Sequence, residues 1–170
     1  DSLGPETVDD YYRRRLIRDV ADLYDIQVQQ INGEDGTREK SAQKIVRSIA
    51  DSVEVPFERV VFALGIRFVG EIAAKALARH FKSMDALASA SLEDMLQING
   101  IGVVIAESVI RYFANEANRD LVRRLREKGV RMELSDEELS SHSDKLSGQS
   151  IVVSGVFSLH SRDEYKAMIE

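Results

Sequence analysis

The residues best suited to bind a ligand are glycines that stand at regular intervals, each before a helical pattern. The clearest case is Gly100-Ile101-Gly102, which precedes a helical run with Ala106 four residues after the second glycine. Glycine lets a ligand approach the backbone without a Cβ in the way. The N–H groups of the turn and of the helix start, aided by the helix dipole, form a site for an anion. The turn therefore predicts capture of a phosphate.

The same glycine-to-small-residue spacing recurs at three earlier places in the chain. Phe68-Val69-Gly70 precedes Ala74, Gly36-Thr37-Arg38 precedes Ala42, and Ser2-Leu3-Gly4 precedes Val8. The equivalent positions 4, 38, 70 and 102 lie 34, 32 and 32 residues apart. Residues 16–23 also resemble residues 81–87, which adds a longer period. The repeats therefore predict four copies that pair first with second and third with fourth.

Four turns in register favour phosphate binding over a purely structural role as tight helical connections, because folding alone would accept looser spacing. Arg38 stands where the other turns have glycine, so Arg38 and Lys40 are expected to hold a phosphate by charge. Arg67 precedes the third turn and is placed to pair with a phosphate. Such contacts position a duplex without reading its bases. The predicted backbone-binding residues are Leu3, Gly4, Gly36, Thr37, Arg38, Lys40, Arg67, Val69, Gly70, Gly100, Ile101 and Gly102.

Helices are the elements that must position these turns. Apolar residues at helical spacing predict helices over residues 40–51 and 71–81. Ser91-Leu92-Glu93-Asp94 has the form of an N-cap with acidic residues in the first turn. Pro5 suits the first position of a helix, and Gly129 is predicted to end a helix over residues 116–128. The predicted fold is mainly α, with four tandem helix-hairpin-helix motifs in two paired units over residues 1–134.

The composition changes after Leu134. Residues 135–145 are polar and acidic, which predicts a linker. The β-branched run Ile151-Val152-Val153, stopped by Gly155, predicts a strand, and Ser161 is expected to open a helix. One strand and one helix do not make a domain. Residues 146–170 are therefore predicted to be the start of a truncated α/β unit.

The charge of the chain argues at first against nucleic acid. Its 170 residues include 23 Lys and Arg against 29 Asp and Glu, a net charge of −6. A basic surface is typical of nucleic-acid binders. Residues 135–170, however, hold 3 basic and 7 acidic residues, which leaves 20 and 22, or −2, for residues 1–134. A nearly neutral module must rely on local backbone sites, so we expect weak binding with a modest dependence on salt.

No catalytic or metal-binding residue is predicted. His80, His142 and His160 share no ligand spacing, and the chain has no cysteine for a disulfide or a thiolate zinc site. The lack of cysteine fits a reducing cytoplasm. No apolar run reaches the roughly 18 residues that a membrane helix needs.

The order of these parts resembles the C-terminal region of bacterial NAD-dependent DNA ligases. The most specific stretches are residues 62–71 and 98–102. Residues 146–155, together with 161–164, resemble the opening of that family's BRCT domain. The resemblance implies that the four hairpins bind minor-groove backbones on both sides of a nick in duplex DNA, without sequence specificity. It also places Ser154 and Gly155 where some BRCT domains bind a phosphate.

The resemblance further implies a parent enzyme that seals a 3′-hydroxyl/5′-phosphate nick in replication and repair through enzyme–AMP and DNA–AMP intermediates. NAD, Mg²⁺ and Zn²⁺ are expected for that parent, with adenylation and OB domains in cis. This chain lacks the family's Lys-x-Asp-Gly motif and its four cysteines, so it is expected to hold no cofactor and to be non-catalytic. Its expected location is the bacterial cytoplasm, near the nucleoid. The alternatives are a protein-interaction scaffold with degenerate hairpins, or a hairpin module of a Holliday-junction or excision-repair protein.

Overall fold

The computed structural model of the chain describes residues 3–32 and 39–140. Within these ranges the chain is helical, and its one β-bridge joins Ser83 to Glu133. Contacts divide the chain into two compact units, residues 1–134 and 135–170. The predicted strand, the helix expected from Ser161, and Ser154 and Gly155 lie outside the described residues, as do Gly36, Thr37 and Arg38 of the second turn.

Nine α-helices lie in the described part of the first unit, and a tenth lies in the second. They are α1 (Pro5–Arg13), α2 (Val28–Ile31), α3 (Glu39–Asp51), α4 (Phe57–Ala63), α5 (Glu71–Phe81), α6 (Met84–Ser89), α7 (Leu92–Leu96), α8 (Val103–Ala114), α9 (Glu116–Glu127) and α10 (Asp136–Ser140). Two 3₁₀ helices, Val20–Asp25 and Ser52–Glu54, complete the set. Helix α10 lies inside the stretch predicted as a linker. Ser135 caps it, since its hydroxyl accepts from the N–H of Glu138 at 3.3 Å.

The mainly helical class is confirmed, and so are several helix ends. Helices α3 and α5 coincide with the runs predicted over 40–51 and 71–81 to within one residue. Pro5 occupies the first turn of α1. Ser91 is the N-cap of α7, with a capping box to Asp94. Helix α9 ends at Glu127, and Gly129 follows with φ +86°, a conformation that only glycine adopts without strain.

Two hydrophobic clusters form the core of the first unit. The larger draws fully buried residues from α4 to α8, among them Phe57, Leu77, Leu87, Met95 and Val109, and Val122 and Leu125 of α9 join it. The smaller joins α1, α2 and α3 with the segment between α1 and α2; its buried members are Tyr11, Ile17, Ile26, Ile31 and Ala42. The first two predicted copies therefore share one cluster, and the last two share the other.

The Val20–Asp25 helix links the two clusters. Ala21 is buried in the larger cluster, whereas Leu23 packs against the smaller one. Arg124 of α9 holds this helix by donating to Asp19 at 2.6 Å and to Asp22 at 2.5 Å. Burial alone would raise the pKa of Asp22, but hydrogen bonds from the Arg18 N–H and from Arg124 outweigh it and lower the pKa. The carboxylate of Asp22 is therefore stabilised in its charged form.

Among the helices in residues 3–32 and 39–140, none has the length and apolar character that crossing a membrane requires.

Candidate nucleic-acid interface

The third turn joins α4 to α5 through a short, tightly bonded loop. The N–H of Val69 donates to the carbonyl of Ile66 at 3.0 Å, and both side chains are buried in the larger cluster. Phe68 between them has φ +66°. Gly70 is the N-cap of α5, with its carbonyl accepting from Ala74 at 2.9 Å. Two buried side chains thus fix the turn, and the glycine lies exposed at the start of the helix.

The fourth turn joins α7 to α8 and repeats this geometry. The N–H of Ile101 donates to the carbonyl of Ile98 at 3.0 Å, and both side chains are buried. Gly100 has φ +83°, as Phe68 has a positive φ in the third turn. Gly102 is the N-cap of α8, and its carbonyl accepts from Ala106 at 3.0 Å. The two turns therefore match residue by residue.

The first turn is described from Leu3 onward. Gly4 is the N-cap of α1, and its carbonyl accepts from the N–H of Val8 at 3.1 Å. Leu3 packs against the smaller hydrophobic cluster. Of the second turn's predicted residues, Lys40 is described, and it lies exposed in the first turn of α3.

The predicted binding residues thus fall into two groups. Leu3, Val69 and Ile101 turn their side chains toward the protein interior, since Val69 is 6% and Ile101 5% exposed and Leu3 packs against the smaller cluster. These three can reach a ligand only through their backbone. Gly4, Gly70 and Gly102 lie exposed at helix starts, where backbone N–H groups are accessible. The buried residues hold the turn in shape, and the glycines present its N–H groups.

Nothing within the fold requires glycine at the three helix starts. A Cβ added to Gly4, Gly70 or Gly102 would meet no atom within 4 Å. Their φ angles, −92°, −81° and −93°, are open to every residue. Gly100 differs, because its φ of +83° strains other residues. Neither packing nor backbone conformation selects glycine at these N-caps, so an external group that approaches the backbone gives a reason for it.

The helices that follow these glycines are also uncapped by side chains. The N-cap residues of α1, α5 and α8 provide no side-chain hydrogen bond to the first N–H groups of these helices. Helices α6, α7 and α9, in contrast, begin at Ser83, Ser91 and Asn115, whose side-chain oxygens accept from the first turn. The unsatisfied N–H groups and the positive end of the dipole are therefore exposed where the glycines stand.

Arg67 supplies a positive charge beside the third turn. Most arginines in the first unit pair with carboxylates, as Arg14 does with Asp10 and Arg111 with Glu107. Arg67 forms no ion pair with the residues that the structure describes, and its guanidinium carbon lies 4.8 Å from the centre of the Phe68 ring. The Arg67 guanidinium is therefore not neutralised by a carboxylate of the described residues, and its charge remains available for a phosphate.

Comparison with known proteins identifies this arrangement. The family model described as the helix-hairpin-helix motif matches residues 59–122, which include the third and fourth turns. A DNA ligase of Phocaeicola vulgatus is 58% identical over all 170 residues, and one of Bacteroides fragilis is 56% identical over the same length. The chain is similar over its whole length to a segment of these bacterial DNA ligases. It spans about a quarter of the length of these relatives, 26% in each case.

The resemblance to bacterial ligases inferred from residues 62–71 and 98–102 is therefore confirmed. Both stretches lie inside the matched motif. The count of four motifs and the BRCT-like start of residues 146–170 stay predictions, since the motif match covers two turns and the tail lies outside the described residues.

Sequence reasoning missed the exposure of apolar residues next to the turns of this segment. Phe68 is 57% exposed, Ile72 in the first turn of α5 is 88% exposed, and Val104 in the first turn of α8 is 60% exposed. Ile72 and Val104 occupy equivalent places, two residues after Gly70 and Gly102. The repeat pattern could have revealed Phe68, because it pairs Phe68 with Gly100 and so shows a bulky residue at a position that holds glycine in the fourth turn.

The described residues hold no group of three or more His, Asp or Glu that would suit a metal ion. His80 packs edge-on against Phe81, with ring centres 4.8 Å apart. His142 and His160 lie outside the described residues.

Proposed function

We propose that this chain is a DNA-holding module from the C-terminal region of an NAD-dependent DNA ligase, and that it binds the sugar–phosphate backbone of nicked duplex DNA. One observation carries the proposal. Helices α1, α5 and α8 begin at glycines where an added Cβ would meet no atom within 4 Å, and the first N–H groups of these helices donate to no N-cap side chain. Uncapped helix starts of this kind suit phosphate oxygens.

Binding would proceed through the backbone of each turn. A phosphate oxygen accepts from the exposed N–H groups at Gly70 or Gly102, and the helix dipole favours its negative charge. Arg67 adds a charged donor at the third turn, and Arg38 and Lys40 are proposed to serve the second. None of these groups selects a base, so they set the register of the duplex without sequence specificity.

The wider reaction belongs to the proposed parent enzyme, which would seal nicks by transferring AMP from NAD during replication and repair. The chain has no cysteine for a thiolate zinc site and no Lys-x-Asp-Gly sequence for adenylation, and its described residues hold no group of three or more His, Asp or Glu that suits a metal ion. We therefore assign NAD, Mg²⁺ and Zn²⁺ to the adenylation and OB domains and to a zinc module of the parent, and assign no catalytic step to this chain. Four hairpins, a linker over 135–145 and the start of a BRCT domain complete the proposed architecture, in a cytoplasmic protein associated with the nucleoid.

The charge balance supports local rather than long-range attraction. Residues 1–134 carry 20 basic and 22 acidic side chains. Many of these arginines are paired within the protein, including Arg13 with Asp9 and Arg126 with Asp85. Affinity must then come from the turns themselves. We expect the logarithm of the binding constant to fall with the logarithm of salt at a slope of about −4 or shallower, the value for four phosphate contacts.

A salt titration of the 170-residue chain tests the proposal. Fluorescence anisotropy with a labelled nicked duplex should give binding at low salt, the same affinity for duplexes of unrelated sequence, and the shallow slope given above. Absence of binding at low salt would overturn the proposal. That result would favour the protein-interaction scaffold, which the acidic balance of the chain and the second turn, where Arg38 replaces glycine, also favour.

A further inference from the structure

Phe68 combines two features that the fold does not explain. Its φ is +66°, in a region that bulky side chains rarely adopt, because the Cβ crowds the backbone. Its side chain is nevertheless 57% exposed, and it belongs to neither hydrophobic cluster. Strained residues of this kind concentrate at functional sites. Burial in the core therefore gives no compensation for the strain at Phe68.

The fourth turn provides an internal comparison. Gly100 occupies the equivalent position with φ +83°, and the following residue makes the same hydrogen bond, at 3.0 Å in both turns. The turn thus requires the backbone conformation, which glycine adopts without strain. It does not require the ring. The third turn retains a phenylalanine where glycine would fold more easily.

The surroundings of Phe68 place the ring beside the proposed phosphate site. Gly70, the open N-cap of α5, stands two residues further along the chain. The Arg67 guanidinium lies 4.8 Å from the ring centre, a cation–π distance that holds the ring and the charge side by side. An apolar ring, a cation and open N–H groups are therefore presented together at the tip of one turn.

We propose that Phe68 is an apolar wedge that enters the minor groove of the bound duplex and packs against deoxyribose and base edges, while Arg67 and Gly70 hold the neighbouring phosphates. This inference rests on the proposed function. Minor-groove proteins insert phenylalanine and similar side chains between base steps, and they unstack those steps at an energetic cost. A nick lowers this cost because one strand is interrupted, so the wedge favours nicked over intact DNA.

Replacement of Phe68 by glycine tests the effect of the ring on DNA binding separately from its effect on stability. In the 170-residue chain, Phe68→Gly should leave the thermal midpoint unchanged or raise it, because the strain at φ +66° disappears. Binding to a nicked duplex should weaken by roughly fivefold or more, the range for loss of an aromatic contact with a base. The preference for nicked over intact duplex should shrink. A fluorescent adenine analogue beside the nick should brighten on binding of the wild type and of Phe68→Trp, but not of Phe68→Gly.

Two control variants make the outcome decisive. Ile110→Ala removes an exposed apolar side chain, 38% exposed on α8, away from the turns, and should bind like the wild type. Gly102→Asp should impair binding through the phosphate site. If Phe68→Gly binds like the wild type while Gly102→Asp is impaired, the wedge is wrong and the proposed function stands. If Gly70→Asp and Gly102→Asp also bind like the wild type, or the wild type does not bind, both are wrong. A clearly lower midpoint for Phe68→Gly would also overturn the wedge, because the ring would then serve the fold.

Discussion

Two groups of helix N-termini can be compared within the described residues of this chain. Helices α6, α7 and α9 begin at residues whose side chains accept from the first turn: Ser83, Ser91 and Asn115. Helices α1, α5 and α8 begin at Gly4, Gly70 and Gly102, which supply no such oxygen. A glycine N-cap is less stabilising than serine by only a few tenths of a kcal/mol. On the proposed function, the chain gives up little stability to leave these N–H groups open to a phosphate.

The largest expected effect comes from placing an acidic N-cap at the helix starts that now hold glycine. Gly70→Asp and Gly102→Asp each add a carboxylate that accepts from the helix start and repels a phosphate. Each should weaken DNA binding by about tenfold or more, since charged hydrogen bonds are lost. Stability should hold or rise slightly, because aspartate is a favoured N-cap and a Cβ meets nothing within 4 Å. Anisotropy and thermal melting followed by circular dichroism measure the two effects.

Gly102→Ser is the matched control for the charge, because its hydroxyl can cap α8 without adding a negative group. It should weaken binding by a smaller factor than Gly102→Asp. Unchanged affinity in both aspartate variants would contradict phosphate capture at these helix starts.

The reverse substitution tests the capped ends. Ser91→Ala removes the hydroxyl that accepts from the N–H of Asp94 at 3.1 Å. It should lower the free energy of unfolding by about 1 kcal/mol, the usual cost of losing an N-cap. DNA affinity should not change, since this end holds no ligand. Urea unfolding and anisotropy provide both measurements. If Ser91→Ala weakened DNA binding without lowering stability, the serine-capped helix start would also contact DNA, and the two groups of N-termini would not differ in function.

The smallest expected effect concerns pH. Hydrogen bonds from the hydroxyl of Ser91 at 2.7 Å and from its N–H at 3.2 Å lower the pKa of Asp94. A lowered pKa means that this carboxylate stabilises the fold above its ordinary pKa and that the contribution is lost as pH falls through the folded-state value. The difference in urea midpoint between the wild type and Asp94→Asn should therefore be present at neutral pH and shrink on acidification.

Glycine-capped helix starts carry no such titrating group. The difference in urea midpoint between the wild type and Gly102→Ser should accordingly be the same at neutral and at acidic pH, so this variant is the control. A wild-type advantage over Asp94→Asn that grows on acidification would show that the capping carboxylate has the opposite linkage.

Local signals account for what the sequence predicted well. The helical spacing of apolar residues located α3 and α5, and Ser91 with Asp94 three residues later marked a capping box, because each depends on residues close in the chain. The open glycine starts at Gly70 and Gly102 could also be placed, since the copies stand 32 residues apart.

Long-range and conformational features were not predictable in the same way. The ion pairs of Arg124 join residues 105 and 102 positions apart, and no local pattern relates them. The glycine types alone did not show which backbone conformation each adopts: Gly100 has φ +83°, whereas Gly102 has φ −93°. At Phe68, backbone propensity would have assigned an ordinary φ. The geometry of its turn, set by buried Ile66 and Val69, overrides that propensity.

The contact between Arg124 and the Val20–Asp25 helix has a consequence for avidity. Together with the ion pair between Lys128 and Asp25 and the burial of Ala21 in the larger cluster, this guanidinium ties the part of the chain that carries Gly4 to the part that carries Gly70 and Gly102. On the proposed function, a duplex caught by one turn meets the others at a high effective concentration only while the tie keeps their separation fixed. Several weak phosphate contacts would then add up to a higher overall affinity for DNA, so that a nearly neutral module could bind a polyanion.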